Sequence, residues 1–133
     1  MAETTQAPPA AGTFCWNELM TRDVGAAKTF YTALLGWGTE EMDMGEMGTY
    51  IVFKKGDREV GGMMAMPPDC GEEIPPHWMS YIAVDDVDAS TARVEQLGGT
   101  VCVPPTDIPE VGRFSVITDP TGATISLFKG KSM

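Results

Sequence analysis

A chain of 133 residues is the size of one ordinary domain, long enough to bury roughly two thirds of the surface its unfolded form exposes. Nine basic against 19 acidic side chains leave a net charge of −10, which argues against nucleic-acid and anionic-membrane partners, since both need a positive footprint. Three cysteines, Cys15, Cys70 and Cys102, make an odd set without CxxC spacing, as expected of reduced thiols in a cytoplasmic protein rather than of a disulfide framework or a zinc finger.

The start, "MAETTQAPPAAG", lacks the basic and apolar regions of a signal peptide, and residues 1–12 are expected to form a flexible leader. No run approaches 18 consecutive apolar residues, so no spanning helix is expected. "TFCWNELM" alternates as a strand does, and "DVGAAKTFYTALLG" follows with Asp23 as a helix-starting cap and Gly36 as a stop. "WGTEEMDM", "GTYIVFKK" and "REVGGMMAM" then read as short strands, the last two joined by a tight turn at Gly56-Asp57. A stiff connector, "PPDCGEEIPP", separates this set from the next.

The second set repeats the first. "HWMSYIAV" reads as a strand, "DVDASTARVEQLGG" as a helix, and "TVCV", "RFSVITD" and "ATISLFK" as strands. Asp23 matches Asp86, Val24 matches Val87 and Gly36 matches Gly99, always at an offset of 63. One unit alone would leave a sheet face unburied, so the repeat predicts an α+β fold in which two tandem β-α-β-β-β units, about 13–66 and 77–129, make a single domain over 13–133.

"TRDVGAAKTFYTALLGW", "YIAVDDVDAS" and "GRFSVITDPTGATISLFK", in this order, resemble the vicinal oxygen chelate superfamily of glyoxalases, bleomycin-resistance proteins and extradiol dioxygenases. The resemblance covers about residues 13–129 and implies a concave mixed-sheet trough. In metal-binding members one residue on the first and one on the last strand of each unit hold the ion. The motif alignment places Trp16 and Ser126 at two such positions, and the 63-residue offset adds Met79 and Met63. Indole, thioether and hydroxyl are poor ligands for a divalent metal of this class, so the chain is similar to a branch lacking the usual metal ligands, and no cofactor is expected.

Strand parity extends the set. With Trp16 facing the trough, Glu18 and Met20 follow, while Asn17, Leu19 and Thr21 face the helix; Met79 brings Tyr81, and Ser126 brings Thr124 and Phe128. The expected lining is Trp16, Met20, Met63, Met79, Tyr81, Ser126 and Phe128 around one carboxylate, Glu18. Aromatic and thioether surfaces suit an apolar or cationic ligand. Core filling is the plainer use of such residues, and a strand-end glutamate can simply reach water.

His77 is the only histidine and reads as structural or exposed. Cys15 and Cys102 read as buried thiols, Arg113 as an ion-pair partner, Gly61-Gly62 as a bulge, and "DPTG" as a hairpin turn. The function expected is a metal-independent small-molecule-binding protein of glyoxalase/bleomycin-resistance type that sequesters or senses its ligand, with a homodimer as the assembly. The alternative is a lyase or isomerase using Glu18 as general base.

Overall fold

Two periods run along the chain, 2 residues in strands and 3.6 in helices, and each decides which side chains meet. The structure, a computed structural model, describes residues 10–43, 48–66, 75–108 and 111–130. Its elements are β1 (Phe14–Thr21), α1 (Val24–Leu35), β2 (Gly38–Asp43), β3 (Thr49–Lys55), β4 (Arg58–Ala65), β5 (His77–Ala83), α2 (Val87–Ala92), β6 (Thr100–Ile108), β7 (Gly112–Thr118) and β8 (Thr124–Gly130). This α+β order is the expected β-α-β-β-β written twice. Cys70 and most of the connector lie outside the described residues, as does the leader through residue 9.

The chain divides into two compact units, Asn17–Trp78 and Met79–Met133, the segment ending at Trp16 counting with the second. In the first unit the sheet order is β2-β3-β4-β1. β1 and β4 run parallel, with Glu18 opposite Gly62 and Leu19 opposite Met63; β2, β3 and β4 pair antiparallel. Asp23 caps α1, its carboxylate accepting from the Ala26 amide at 3.0 Å, and Gly36 ends it at φ 72°, a left-handed turn that glycine adopts without strain. Lys55 pairs with Arg58 across the Gly56-Asp57 turn. On the sheet face beneath α1, Leu19, Ile51, Phe53 and Met63 form the core, with Val24, Ala27, Tyr31, Trp37 and Val60 against it.

Met63 therefore belongs to the helix-side core and not to the expected ligand lining. It is fully buried beside Leu19. The error is one of register. Glu18 and Tyr81 differ by 63, but their partners on the last strands, Gly62 and Ser126, differ by 64. The second unit carries one more residue before its last strand, and a shift of one residue moves a strand position to the opposite face.

In the second unit the order is β5-β8-β7-β6, with β5 and β8 parallel and the remainder antiparallel. Gly12 and Thr13 are tied to this unit, the Gly12 amide donating to the Ala83 carbonyl at 2.7 Å and the Ala83 amide to Thr13 at 2.9 Å. Asp86 caps α2 through the Ala89 amide. α2 stops after six residues, short of the expected helix, and a 3₁₀ turn at Glu95–Leu97 completes the segment. Thr91 turns its hydroxyl back onto the Val87 carbonyl at 2.6 Å and toward Ser115 at 2.8 Å, a bond that competes with helix continuation. β6 runs on through Pro104-Pro105, which "TVCV" alone did not foresee; it is the edge strand, where missing amides cost least. Arg113 bridges Asp88, in a two-pronged contact at 2.9 Å, and Asp107 at 2.9 Å, tying α2 to the β6–β7 hairpin.

The face assignments differ in energy. Met63→Ala should lower the unfolding free energy by about 2 to 5 kcal/mol, the cost of a cavity in a closed core. Met20→Ala, on the opposite face and half-buried, should cost less than about 1.5 kcal/mol. Urea denaturation of both variants checks the order, and equal losses would contradict it.

Candidate functional site

Each unit buries one sheet face under its helix, and the functional residues are sought on the other. In the first unit that face carries Glu18 and Met20 on β1, Gly62 on β4, and Tyr50 and Val52 on β3, as the pairings Glu18–Gly62 and Gly62–Val52 dictate. Glu18 does not reach out to water: it is 6 % exposed, and the Tyr50 hydroxyl donates to its Oε1 at 3.2 Å. The phenol crosses β4 to do so. A Cβ at residue 62 would run into the Tyr50 hydroxyl and ring. Gly61 is also close-packed, its Cβ position 3.0 Å from the Asn17 carbonyl, while the register shift read as a bulge lies beside it, between Phe53 and Lys54 on the partner strand.

In the second unit the helix side is marked by Ser115 and Leu127, opposite one another, with the Thr91 hydroxyl of α2 on Ser115. Parity places Met79, Tyr81, Ser126, Phe128 and Val116 on the other side. Tyr81 lies opposite Ser126 on the parallel neighbour, and Phe128 meets the Tyr81 ring edge-on at 6.1 Å. Met79 and Tyr81 are buried, and Trp16, which counts with this unit, is half-buried. Ser126 is 0 % exposed, and its Oγ has no hydrogen-bond partner among the described residues.

The other sequence candidates are structural. The His77 ring nitrogen Nδ1 lies 2.8 Å from the Pro75 carbonyl. Burial, opposed by its own backbone hydrogen bond, pushes the Cys15 thiol up and away from thiolate reactivity. Cys102 is exposed rather than buried, its sulfur 3.0 Å from the Thr118 hydroxyl. Hydrogen bonds to Asp88 and then Asp107 hold the Arg113 guanidinium protonated, and Arg113 in turn holds Asp88 below the usual carboxylate range. The Asp119 carboxylate closes the Asp119–Gly122 turn by accepting from the Thr121 hydroxyl and the Thr121 and Ala123 amides. Two shallow clefts of about 370 and 380 Å³ lie beside α2, the first lined by Asp88, Thr91, Ala92, Glu95, Val101 and Pro105; neither includes a residue of the expected lining.

Sequence reasoning missed Tyr50 and Gly62. The available signal was a double glycine inside a strand, which marks close approach as often as a bulge. What approaches it comes from another strand and is not written locally.

Compared with known proteins, residues 13–127 match the family model of the Glyoxalase/Bleomycin resistance protein/Dioxygenase superfamily. The chain belongs to that superfamily. It is 47 % identical over 118 residues to "Putative glyoxylase CFP32" of Mycobacterium bovis, covering 89 % of this chain and 44 % of the relative. It is 32 % identical over 131 residues to the anthracycline biosynthesis protein DnrV of Streptomyces peucetius, covering 90 % and 48 %. The chain thus spans about half the length of these curated relatives. Methylmalonyl-CoA epimerase from Mycobacterium tuberculosis shares the fold at TM-score 0.65 and 15 % identity, covering 98 % of this chain and 97 % of that one. The Mn(II)-bound glyoxalase from Novosphingobium aromaticivorans aligns at TM-score 0.56 and 20 % identity, covering 92 % and 42 %.

The Mn(II)-bound glyoxalase among the fold neighbours raises the question of how the donor set here compares with what a metal needs. Among the described residues no three His, Cys, Asp or Glu side chains come together. At its paired positions the first unit presents one carboxylate, Glu18, beside Gly62, and the second presents Tyr81 and Ser126, with neither carboxylate nor imidazole. These residues do not fit a hard divalent ion, which seeks several carboxylate or imidazole ligands.

A buried hydroxyl without a partner costs stability. Ser126→Ala should leave the ligand-free protein as stable or raise its unfolding free energy by about 1 kcal/mol. Thermal melts in ligand-free buffer check this; a loss comparable to a core cavity would show that the hydroxyl is satisfied after all.

Proposed function

We propose that this chain is a small-molecule-binding protein of the glyoxalase/bleomycin-resistance type, acting without a metal by sequestering or sensing an apolar or cationic ligand. The observation that carries the reading is the buried, unpartnered Ser126 hydroxyl on the side of the second unit away from α2. Tyr81, Phe128 and Met79 share that side, and Trp16 counts with the same unit. A ligand acceptor or donor would satisfy the hydroxyl while the rings and thioether bury the ligand's apolar surface. Ser126 is closed off, so entry requires its neighbours to swing aside.

A second reading has its own observation. Glu18, almost wholly removed from water and hydrogen-bonded by Tyr50, is a carboxylate placed as a general base is placed. In that reading the chain is a glyoxalase-like lyase or isomerase that abstracts a proton from carbon with Glu18.

Trp16 emission, isolated by replacing Trp37 and Trp78 with Phe, should respond to a member of an aromatic and cationic metabolite panel. Trp16→Ala should weaken that binding by about 1 to 3 kcal/mol. Glu18→Gln separates the readings: in the enzyme it lowers turnover roughly a hundredfold or more with binding largely retained, while in a binder of cations it reduces affinity and there is no turnover to lose. Stoichiometric zinc, nickel, manganese or iron by elemental analysis would overturn metal independence.

The assembly we propose is a homodimer in the cytoplasm. Phe30 and Leu34 of α1 stand 56 % and 62 % exposed, more apolar surface than a helix usually shows to water. Light scattering at micromolar concentration should give about twice the 14.3 kDa chain mass; the single-chain mass would count against it.

A further inference from the structure

On the helix-free side of the first unit, three residues from three strands form an arrangement that the fold alone does not require. Glu18 lies on β1, Gly62 faces it from β4, and Tyr50 reaches across from β3. An apolar residue at position 18 would fill this face at lower cost, since a carboxylate taken out of water must be met by donors. Residue 62 must also stay bare, because any side chain would displace the phenol. Two positions are thus constrained in order to aim one carboxylate.

We propose that Tyr50 is a positioning residue for Glu18, and that the pair makes this face of the first unit a recognition site for the cationic group of a ligand, an ammonium. The Tyr50 hydroxyl donates to Oε1 at 3.2 Å, which fixes the carboxylate's rotation. On the same side of the sheet Glu40, paired with Val52, and Lys54, paired with Gly38, are engaged with each other at 3.2 Å. Met20 and Val52 share Glu18's face; their polarizable and apolar surfaces suit the methyl or methylene groups that flank an ammonium and keep the local dielectric low. The inference rests on the reading that Glu18 is a functional carboxylate and supplies its ligand class.

Calorimetry with phenyltrimethylammonium and the neutral tert-butylbenzene, on the full chain and four variants, tests it. The wild type should prefer the cation by about tenfold or more, and Glu18→Gln should erase that preference. Tyr50→Phe keeps the ring over Gly62 but takes a donor from the buried carboxylate, so the melting temperature should fall modestly while cation affinity falls about three- to tenfold and neutral affinity does not change. Gly62→Ala should lower both cation affinity and melting temperature, and the added Tyr50→Ala should recover part of the melting temperature by removing the clash. If Glu18→Gln erases the preference and Tyr50→Phe leaves it intact, Tyr50 is not a positioning residue although Glu18 remains functional. If the wild type shows no cation preference, or Glu18→Gln keeps it, the recognition site itself is overturned.

Discussion

The parallel pairing of the first and last strand in each unit is the constraint on which the rest depends. Glu18 against Gly62 and Tyr81 against Ser126 fix the pleat of both strands at once. Every side chain is thereby sorted to the helix side or away from it. Beneath α1 this gathers Leu19, Ile51, Phe53 and Met63 into a closed apolar cluster. Beneath α2 it brings Ser115 to Thr91, a buried pair of hydroxyls that satisfy each other.

The opposite faces follow a different rule. Each contains a buried polar side chain where an apolar one would be cheaper: Glu18 in the first unit and Ser126 in the second. Burying a carboxylate or an unpaired hydroxyl works against stability, and such departures gather where a protein meets its ligand. The two units solve the problem differently. In the first, a strand two places away supplies a donor through Tyr50; in the second, none is supplied to Ser126 among the described residues. In the function proposed for this chain, a ligand supplies that missing partner.

Much of the fold could be read from the residues, because its signals are local. Asp23 and Asp86 cap helices, Gly36 stops one, and Gly56-Asp57 and the Asp119–Gly122 turn close hairpins through bonds within a few residues. The superfamily was legible from the same motifs and is the one the family model matches. The site was legible only in part. Parity along β1 put Glu18 and Met20 opposite Leu19, as the core requires, but the repeat offset was carried unchanged to the last strand. There a single extra residue exchanges Gly62 for Met63. Tyr50 could not be read at all: it lies 32 residues from Glu18, and only the sheet order β3-β4-β1 brings it within reach. The contact of Thr91 with Ser115, 24 residues away, was invisible for the same reason.

That this chain covers about half of the relatives from Mycobacterium bovis and Streptomyces peucetius leaves the activities of those longer proteins as comparisons. What we propose for this chain is narrower: the side of the second unit away from α2 binds a small molecule through residues other than those of the ammonium site at Glu18. Methyl NMR of the protein titrated with an aromatic and cationic metabolite panel tests it most directly, because the two sides carry distinct reporters. Met79 reports the proposed binding side, and Leu127, opposite Ser115, reports the helix side. The account predicts that a binding metabolite shifts Met79 strongly and Leu127 little. Equal shifts at both, or a larger shift at Leu127, would contradict it.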